Sequence, residues 1–343
     1  MKNTTIAVDL AKSVFQIAVS HRPGRVSEEH RLSRPKFRRF MAEQQPALVL
    51  LEACGTAHYW GREIRGLGHS VVLLPPHEVH RYVRRNKTDR ADAKALLEAY
   101  RNEELTPVPV KSVEQQALAS LHRLRSAWIG HRTARINTVR GILREFGIFI
   151  PQGAARVVTS VHELLGDSES PVPHIVRAAL AEACEDIKEF EKKIRSVERQ
   201  LAAIAREMPV VRQLRTIPGI GLITATALVA LVGDIHRFRT GRRFASFLGI
   251  TPKERSTGLR RRLGAINKMG DVYLRMLLIH GARSVLRAAK LHKEPDRLRT
   301  WALDVERRRG HNKAAVAVAN KLARIVWAVW KEERSFESIP AAA

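Results

Sequence analysis

Cysteine is almost missing from this chain: Cys54 and Cys184 are the only two among 343 residues, far apart and in no paired-Cys motif. That argues against a disulfide framework and against a zinc site. Long apolar runs are missing too. The best of them, residues 48–51 and 225–232, fall far short of the roughly 20 residues a membrane helix needs. The opening MKNTTIAVDL lacks the apolar core of a signal peptide. A cytoplasmic chain with no membrane partner is therefore expected. Acid is the third shortage: 34 Asp+Glu face 60 Lys+Arg, a formal net charge of +26. A soluble chain this basic usually carries the excess for a polyanion. Nucleic acid is the first candidate and a membrane surface the second. Internal repeats and low-complexity tracts are also lacking.

What is present fills two domains. With 45% hydrophobic residues, both can have real cores. Residues 4–9 and 14–19 are β-rich and read as a hairpin, with 26–32 as a third strand. Helix-like 36–45, the apolar run 47–51, a helix over 57–67 and a strand over 70–74 follow. Strands alternating with helices after a meander predict a mixed α/β sheet with helices on both faces. From about residue 88 the pattern is helical, and 113–143 is one long basic helix. Residues 151–172, with Pro151, Gly153, Gly166 and Pro171, read as a junction. Next, Ile187, Phe190, Ile194, Val197, Leu201, Ile204 and Met208 alternate at spacings of three and four. That is the seam of a coiled coil, between chains or between helices. The expected domains are thus 1–150, α/β; 151–210, junction and coiled-coil helix; 211–335, basic and mostly helical; and 336–343, a disordered tail.

The scarce acids are placed where chemistry gathers in an α/β sheet. Asp9 ends the first strand, Glu52 ends the fourth, and Asp89 and Asp92 open a helix. Three apart, the last two share a helix face. Four converging carboxylates repel one another unless cations neutralise them. Hard divalent ions with oxygen ligands do so, and a pair about 4 Å apart suits in-line attack on a phosphodiester. Arg81, Arg84, Arg85, Lys87 and Arg90 flank the last pair and suit a phosphate backbone. Taken singly, an Asp after a strand is also a turn residue, and one in a first helical turn is also a cap. The joint placement raises the metal reading level with the structural one.

The second half carries the cations. Ile217-Pro218-Gly219-Ile220-Gly221 before an apolar helix has the form of a helix-hairpin-helix. There Gly219 and Gly221 let backbone N–H groups approach a phosphate, unless the segment is an ordinary interhelical turn. Nine Lys/Arg follow between Arg237 and Leu263: Arg237, Arg239, Arg242, Arg243, Lys253, Arg255, Arg260, Arg261 and Arg262. One acid, Glu254, interrupts them, and Lys268 lies just beyond. Such density fits counterion release on a polyanion. Phe238, Phe244 and Phe247 sit at helical spacing and read as core rather than as base-stacking platforms. Within this stretch, Ser256-Thr257-Gly258 is either a plain turn or a hydroxyl nucleophile activated by neighbouring arginines.

The strings VDLAK (8–12), EACG (52–55) and NKTDRADA (86–93) resemble the Asp-Glu-Asp-Asp motif of RuvC-like transposases of the insertion sequence 110/1111 family. GITPKERSTG (249–258) and LGAINKMGDVYLRMLLIHGARS (263–284) are similar to the second domain of that family, and HGAR (280–283) points to its 1111 branch. The likeness runs over about 10–335. It implies an RNase H-like fold for 1–150, and Asp9, Glu52, Asp89 and Asp92 as ligands of Mg²⁺ or Mn²⁺. It also implies a serine that links covalently to DNA. Some relatives place that serine directly before the glycine, where this chain has Thr257; Ser256 is the choice and Thr257 the fallback. Further implications are a structured bridge RNA as guide, donor and target DNA as substrates, a dimer or tetramer with a composite site, and association with the nucleoid. Two other readings compete: a RuvC-like junction resolvase that needs the acids but no serine, and a binding protein with no chemistry.

Overall fold

Alternating apolar residues build the first strand pair. β1 (Thr5–Leu10) runs antiparallel to β2 (Val14–Ser20), from Thr5↔Ser20 to Leu10↔Phe15, and β2 pairs with β3 (Glu28–Ser33). The helix α1 (Arg34–Glu43) then carries the chain over to β4 (Leu48–Glu52), parallel to β1. In turn α2 (Ala57–Gly66) leads to β5 (Ser70–Leu74), parallel to β4, giving the sheet order β3-β2-β1-β4-β5. One face, with Ile6, Val8, Val49 and Leu51, packs on Phe37 and Met41 of α1 and Trp60 and Ile64 of α2. Phe15, Phe37 and Trp60 meet edge to face there, with ring centroids 5.0–5.2 Å apart. The other face, with Ala7, Ala18, Leu50 and Leu74, is covered after the short α3 (Pro76–Val79) by α4 (Asp89–Tyr100), through Ala93, Leu96 and Leu97. Covered on both sides, β4 reads as an unbroken apolar run. The mixed sheet flanked by helices is the one expected from the sequence.

This computed structural model describes residues 4–23, 25–83, 89–292 and 294–338, and it divides into two units, Met1–Gln115 and Gln116–Ala343. The expected 1–150 span thus takes in the first unit and most of α5 (Val113–Glu145).

The second unit is mostly helical. After α5 come α6 (Ala154–Gly166), α7 (His174–Arg206), α8 (Pro209–Leu214), α9 (Leu222–Val232) and α10 (Gly241–Phe247). A two-stranded hairpin, β6 (Pro252–Glu254) and β7 (Leu263–Ile266), precedes α11 (Val272–Leu291), α12 (Arg297–Arg309) and α13 (His311–Lys331). The helix α9, apolar all round, lies at the centre, and Leu228, Phe244, Leu278 and Leu322 share its core.

Of the two places left open for the heptad seam, between chains or between helices, the structure uses the second, within the chain. Ile187 packs with Ile136 and Val139 of α5 and Val157 and Val161 of α6, while Val197 and Leu201 pack with Leu118 and Ala230. Arg125–Glu198, Arg132–Glu191 and Arg135–Asp186 bridge α5 to α7 in antiparallel register. The seven-residue step serves a helix pair, and Ile204 alone stands 37% exposed. Pro252–Gly258 forms one strand and the tip of the β6–β7 hairpin, with the turn at Gly258. One expectation needs correction: the tail expected to be disordered over 336–343 is docked as far as it is described, to Ser338. Phe336 packs on the core, its N–H donates to Thr216 Oγ1 at 2.8 Å, and Ser338 donates to Asp296 at 2.8 Å.

Candidate active site and nucleic-acid interface

Strand alternation decides which acids meet. Ala7 and Leu50 face α4, so Asp9 and Glu52, two residues further along their parallel neighbouring strands, continue that face. The intermediate burial of both carboxylate residues fits the mouth of the layer between sheet and helix. The thiol of Cys54 reports their proximity: its pKa is raised by burial, then by Glu52, with Asp9 adding to the effect. Asp92 lies one turn before the buried Leu96 on α4, and its Oδ1 is buried with no hydrogen-bond partner among the described residues. Asp89 opens the same helix. Its side chain and that of Arg90 are outside the described residues, as are Arg84, Arg85 and Lys87 altogether. Among the described residues no three such side chains stand close enough to hold an ion. A buried carboxylate oxygen without a partner is nonetheless a group that a hard cation would satisfy.

The hydroxyl-bearing segment is built in the opposite way. Residues 252–265 are all exposed, so no core shapes them. Backbone bonds do: Arg255 N–H donates to Arg262 O at 2.9 Å, and Thr257 and Arg260 exchange a pair at 3.2 and 3.0 Å. Gly258, at φ 53°, makes the tip. The foot is clasped. Asn267 N–H donates to Thr251 O at 2.9 Å, and Lys268 N–H to Gly249 O at 3.1 Å. Arg275, buried, donates to Gly270 O at 3.1 Å and Leu248 O at 3.4 Å. Gly249 and Gly270 touch so closely that a Cβ on Gly270 would lie 2.1 Å from Phe247 O. Asp271 caps α11 by accepting from Leu274 N–H at 2.8 Å, which fixes where the hairpin returns. Ser256 Oγ donates to Glu254 Oε1 at 2.7 Å and accepts from Arg262 N–H at 3.2 Å. Thr257, one residue on, belongs to the opposite face of the ribbon.

Around this arm the cations face solvent, Arg261 while paired with Glu254 at 3.2 Å. Arg239, Arg242, Arg243, Lys253, Arg255, Arg260, Arg261, Arg262 and Lys268 are exposed. Arg237 differs, sandwiched between Phe238 and Phe247 at 4.5 and 4.6 Å, with burial lowering its pKa to about 10. Phe238 and Phe244 are core, as their spacing implies. Gly219 has a packing reason of its own. At φ 81° it lies against Gly281, where a Cβ would come within 2.6 Å of Gly281 O. Gly221, by contrast, precedes α9 with open space around it.

Sequence reasoning gave no role to three residues that the structure makes prominent. Glu254 is one, and its signal was a lone acid at strand spacing from a serine in a basic run. Arg275 is the second, an arginine inside an amphipathic helix, without a signal. His122 is the third: buried, it lies 3.1 Å from Tyr273 Oη and 3.0 Å from Thr226 Oγ1. Because Thr226 Oγ1 donates to Leu222 O at 2.8 Å, it accepts from His122 Nε2–H, and the ring is neutral. Burial, then Arg125, lowers its pKa to about 4.

Known proteins agree on what this arrangement is similar to. A family model described as transposase matches residues 6–148, and one described as transposase IS116/IS110/IS902 family matches residues 211–296. A probable family 20 transposase of Pseudomonas aeruginosa is 42% identical over 98% of this chain and 99% of its own. The transposase for insertion sequence element IS1111A of Coxiella burnetii is 35% identical over 96% of this chain and 90% of its own. The transposase for insertion sequence element IS1328 of Yersinia enterocolitica is also 35% identical, over 95% and 96%.

Proposed function

Given that the chain belongs to the IS116/IS110/IS902 family of transposases and so acts on DNA, we propose that it exchanges strands through a covalent link between Ser256 and DNA. The observation that carries this reading is the exposed arginine-rich hairpin, which presents a hydrogen-bonded serine hydroxyl where a phosphodiester would settle. Arg255, Arg260, Arg261 and Arg262 hold the phosphate and offset the charge that grows on it as the serine attacks. Attack on the 5′ side leaves a phosphoserine and a free 3′ hydroxyl, which later attacks the partner strand.

Asp9, Glu52, Asp89 and Asp92 would hold a divalent ion, Mg²⁺ or Mn²⁺, and the unpartnered Oδ1 of Asp92 supports that fit. When bound, such an ion supplies charge neutralisation at the reacting phosphate. The carboxylates themselves set the ion's place on the sheet face beneath α4. Among the described residues no helix is long and apolar enough to cross a membrane. A structured bridge RNA as guide rests on the family resemblance, and the net charge of +26 suits it as well as DNA. The protein works as a homo-oligomer on DNA, and because the heptad seam is covered within the chain, assembly uses other surfaces.

The deciding experiment looks for a denaturation-resistant protein–DNA adduct with Mg²⁺ and the copurified RNA. Ser256→Ala is expected to abolish it and Thr257→Ala to keep it. Cleavage that survives in both variants without an adduct would make the protein a metal-dependent resolvase instead.

A further inference from the structure

Glu254 is the only acid between Arg237 and Leu263, in a segment whose other charges all suit phosphate. A carboxylate there weakens binding to a polyanion, so its presence needs a cause. The register supplies one. Two residues apart on a strand, Glu254 and Ser256 share a face, and Glu254↔Leu263 pairing sets Arg261 across from Ser256. On that face the hydroxyl donates to Glu254 Oε1 at 2.7 Å, and Arg261 Nε donates to the same oxygen at 3.2 Å. From the backbone, Arg262 N–H donates to Ser256 Oγ at 3.2 Å. The proton of the hydroxyl is thus aimed at a carboxylate, one lone pair is held by the backbone, and the other is open to a phosphorus atom. Nucleophile, base and a third group orienting the base stand in the order that an activated hydroxyl requires.

We propose that Glu254 is the general base of strand cleavage, taking the proton of Ser256, and that Arg261 sets when it does so. The assignment rests on Ser256 being the nucleophile. In the step, the Ser256 Oγ–P bond forms while the O–H bond breaks and its proton passes to Glu254 Oε1. The bond from phosphorus to the 3′ oxygen breaks, the electron pair stays on that oxygen, and water protonates it. In strand joining the 3′ hydroxyl of the partner strand loses its proton to water as its oxygen bonds to phosphorus, the P–Oγ bond of the phosphoserine breaks, and Glu254 returns its proton to Ser256 Oγ.

Arg261 adds the timing. In the free protein the hydrogen bond from Ser256, and then the charge and hydrogen bond of Arg261, hold the Glu254 carboxyl below its ordinary range. A DNA phosphate competes for Arg261. As the guanidinium turns to the phosphate, the carboxylate loses a cation and becomes a stronger base while the substrate is in place. Lys253, Arg255, Arg260 and Arg262 complete the charged groups along the hairpin, and among the described residues Glu254 is ion-paired with Arg261 alone.

The test follows adduct formation by the full-length protein, with Mg²⁺ and any small RNA that copurifies with it, on a duplex carrying the element's own ends, from pH 3.5 to 9. Glu254→Gln keeps an acceptor for the serine but takes up no proton. It is expected to bind the duplex at least as tightly as wild type and to form adduct about 10²- to 10⁴-fold more slowly. The acid limb of its pH–rate profile should lose one unit of slope. Glu254→Asp should retain that limb. If Ser256→Ala still forms adduct, the nucleophile is misassigned and the base with it. If Ser256→Ala forms none while Glu254→Gln matches wild type in rate and pH profile, the base assignment alone fails.

Discussion

The acids of the first unit and the hydroxyl of the second are held by opposite means. Asp9 and Glu52 extend strands whose preceding residues are wholly buried, so the sheet's own packing aims them. Ser256 has no core beneath it, and a ladder of backbone bonds with a clasped foot aims it instead. A group fixed by a core tolerates change in its neighbours' charge but not in their volume. A group fixed by a backbone ribbon tolerates neither a methyl group at its foot nor the loss of the few bonds along it.

That contrast can be broken at several points. The largest effect should come from Asp92→Asn, expected to lower strand cleavage at least about 10³-fold. Without divalent ions the same variant should melt no earlier than wild type, and about 1 kcal/mol of stabilisation is expected because a buried, unpartnered charge is removed. A marked drop in melting temperature would show Asp92 to be structural. Next comes the foot: Gly270→Ala forces a Cβ against Phe247 O and should cost about 3 kcal/mol or more in a denaturant titration. Adduct formation should fall further than that loss of folded protein explains.

A pH effect of similar or smaller size belongs to the helical unit. Burial, then Arg125, lowers the folded pKa of His122 to about 4, so below about pH 6.5 the unfolded chain takes up the proton first. Its contribution is full above pH 6.5, declines as pH falls towards 4 and then levels off, a loss of up to about 3 kcal/mol. His58, lowered to about 4 mainly by burial, acts in the same direction in the first unit. Denaturant midpoints at pH 7 and pH 4.5 test this, and His122→Gln should flatten part of the difference. The smallest effect is electrostatic. Arg242→Ala and Arg243→Ala should each reduce the slope of log affinity against log salt by about one, with cleavage of bound DNA little changed.

The α/β sheet was legible because its strands alternate or run apolar between turn residues, and its helices repeat at helical spacing. The acids were legible for a related reason: they stop apolar strands. The hairpin was not. From Pro252 to Ala265 both faces meet solvent, so the chain carries no hydrophobic period, and its charges mask the strand. The heptad seam was read correctly as a seam, but spacing cannot say whether the opposing helix belongs to the same chain. The pairing of Gly249 with Gly270 left no trace either, since a missing side chain announces a turn and a close approach alike.

That pair of glycines has a consequence for aim. Five residues of extended chain from Thr251 to Ser256 span about 16 Å, so a tilt of about 10° at the foot displaces the hydroxyl by about 3 Å. A displacement of even about 1 Å can slow a reaction 100-fold. With backbone pressed on backbone at the pivot, the lever has almost no angular play, and targeting accuracy at its far end is decided where no side chain exists to be tuned.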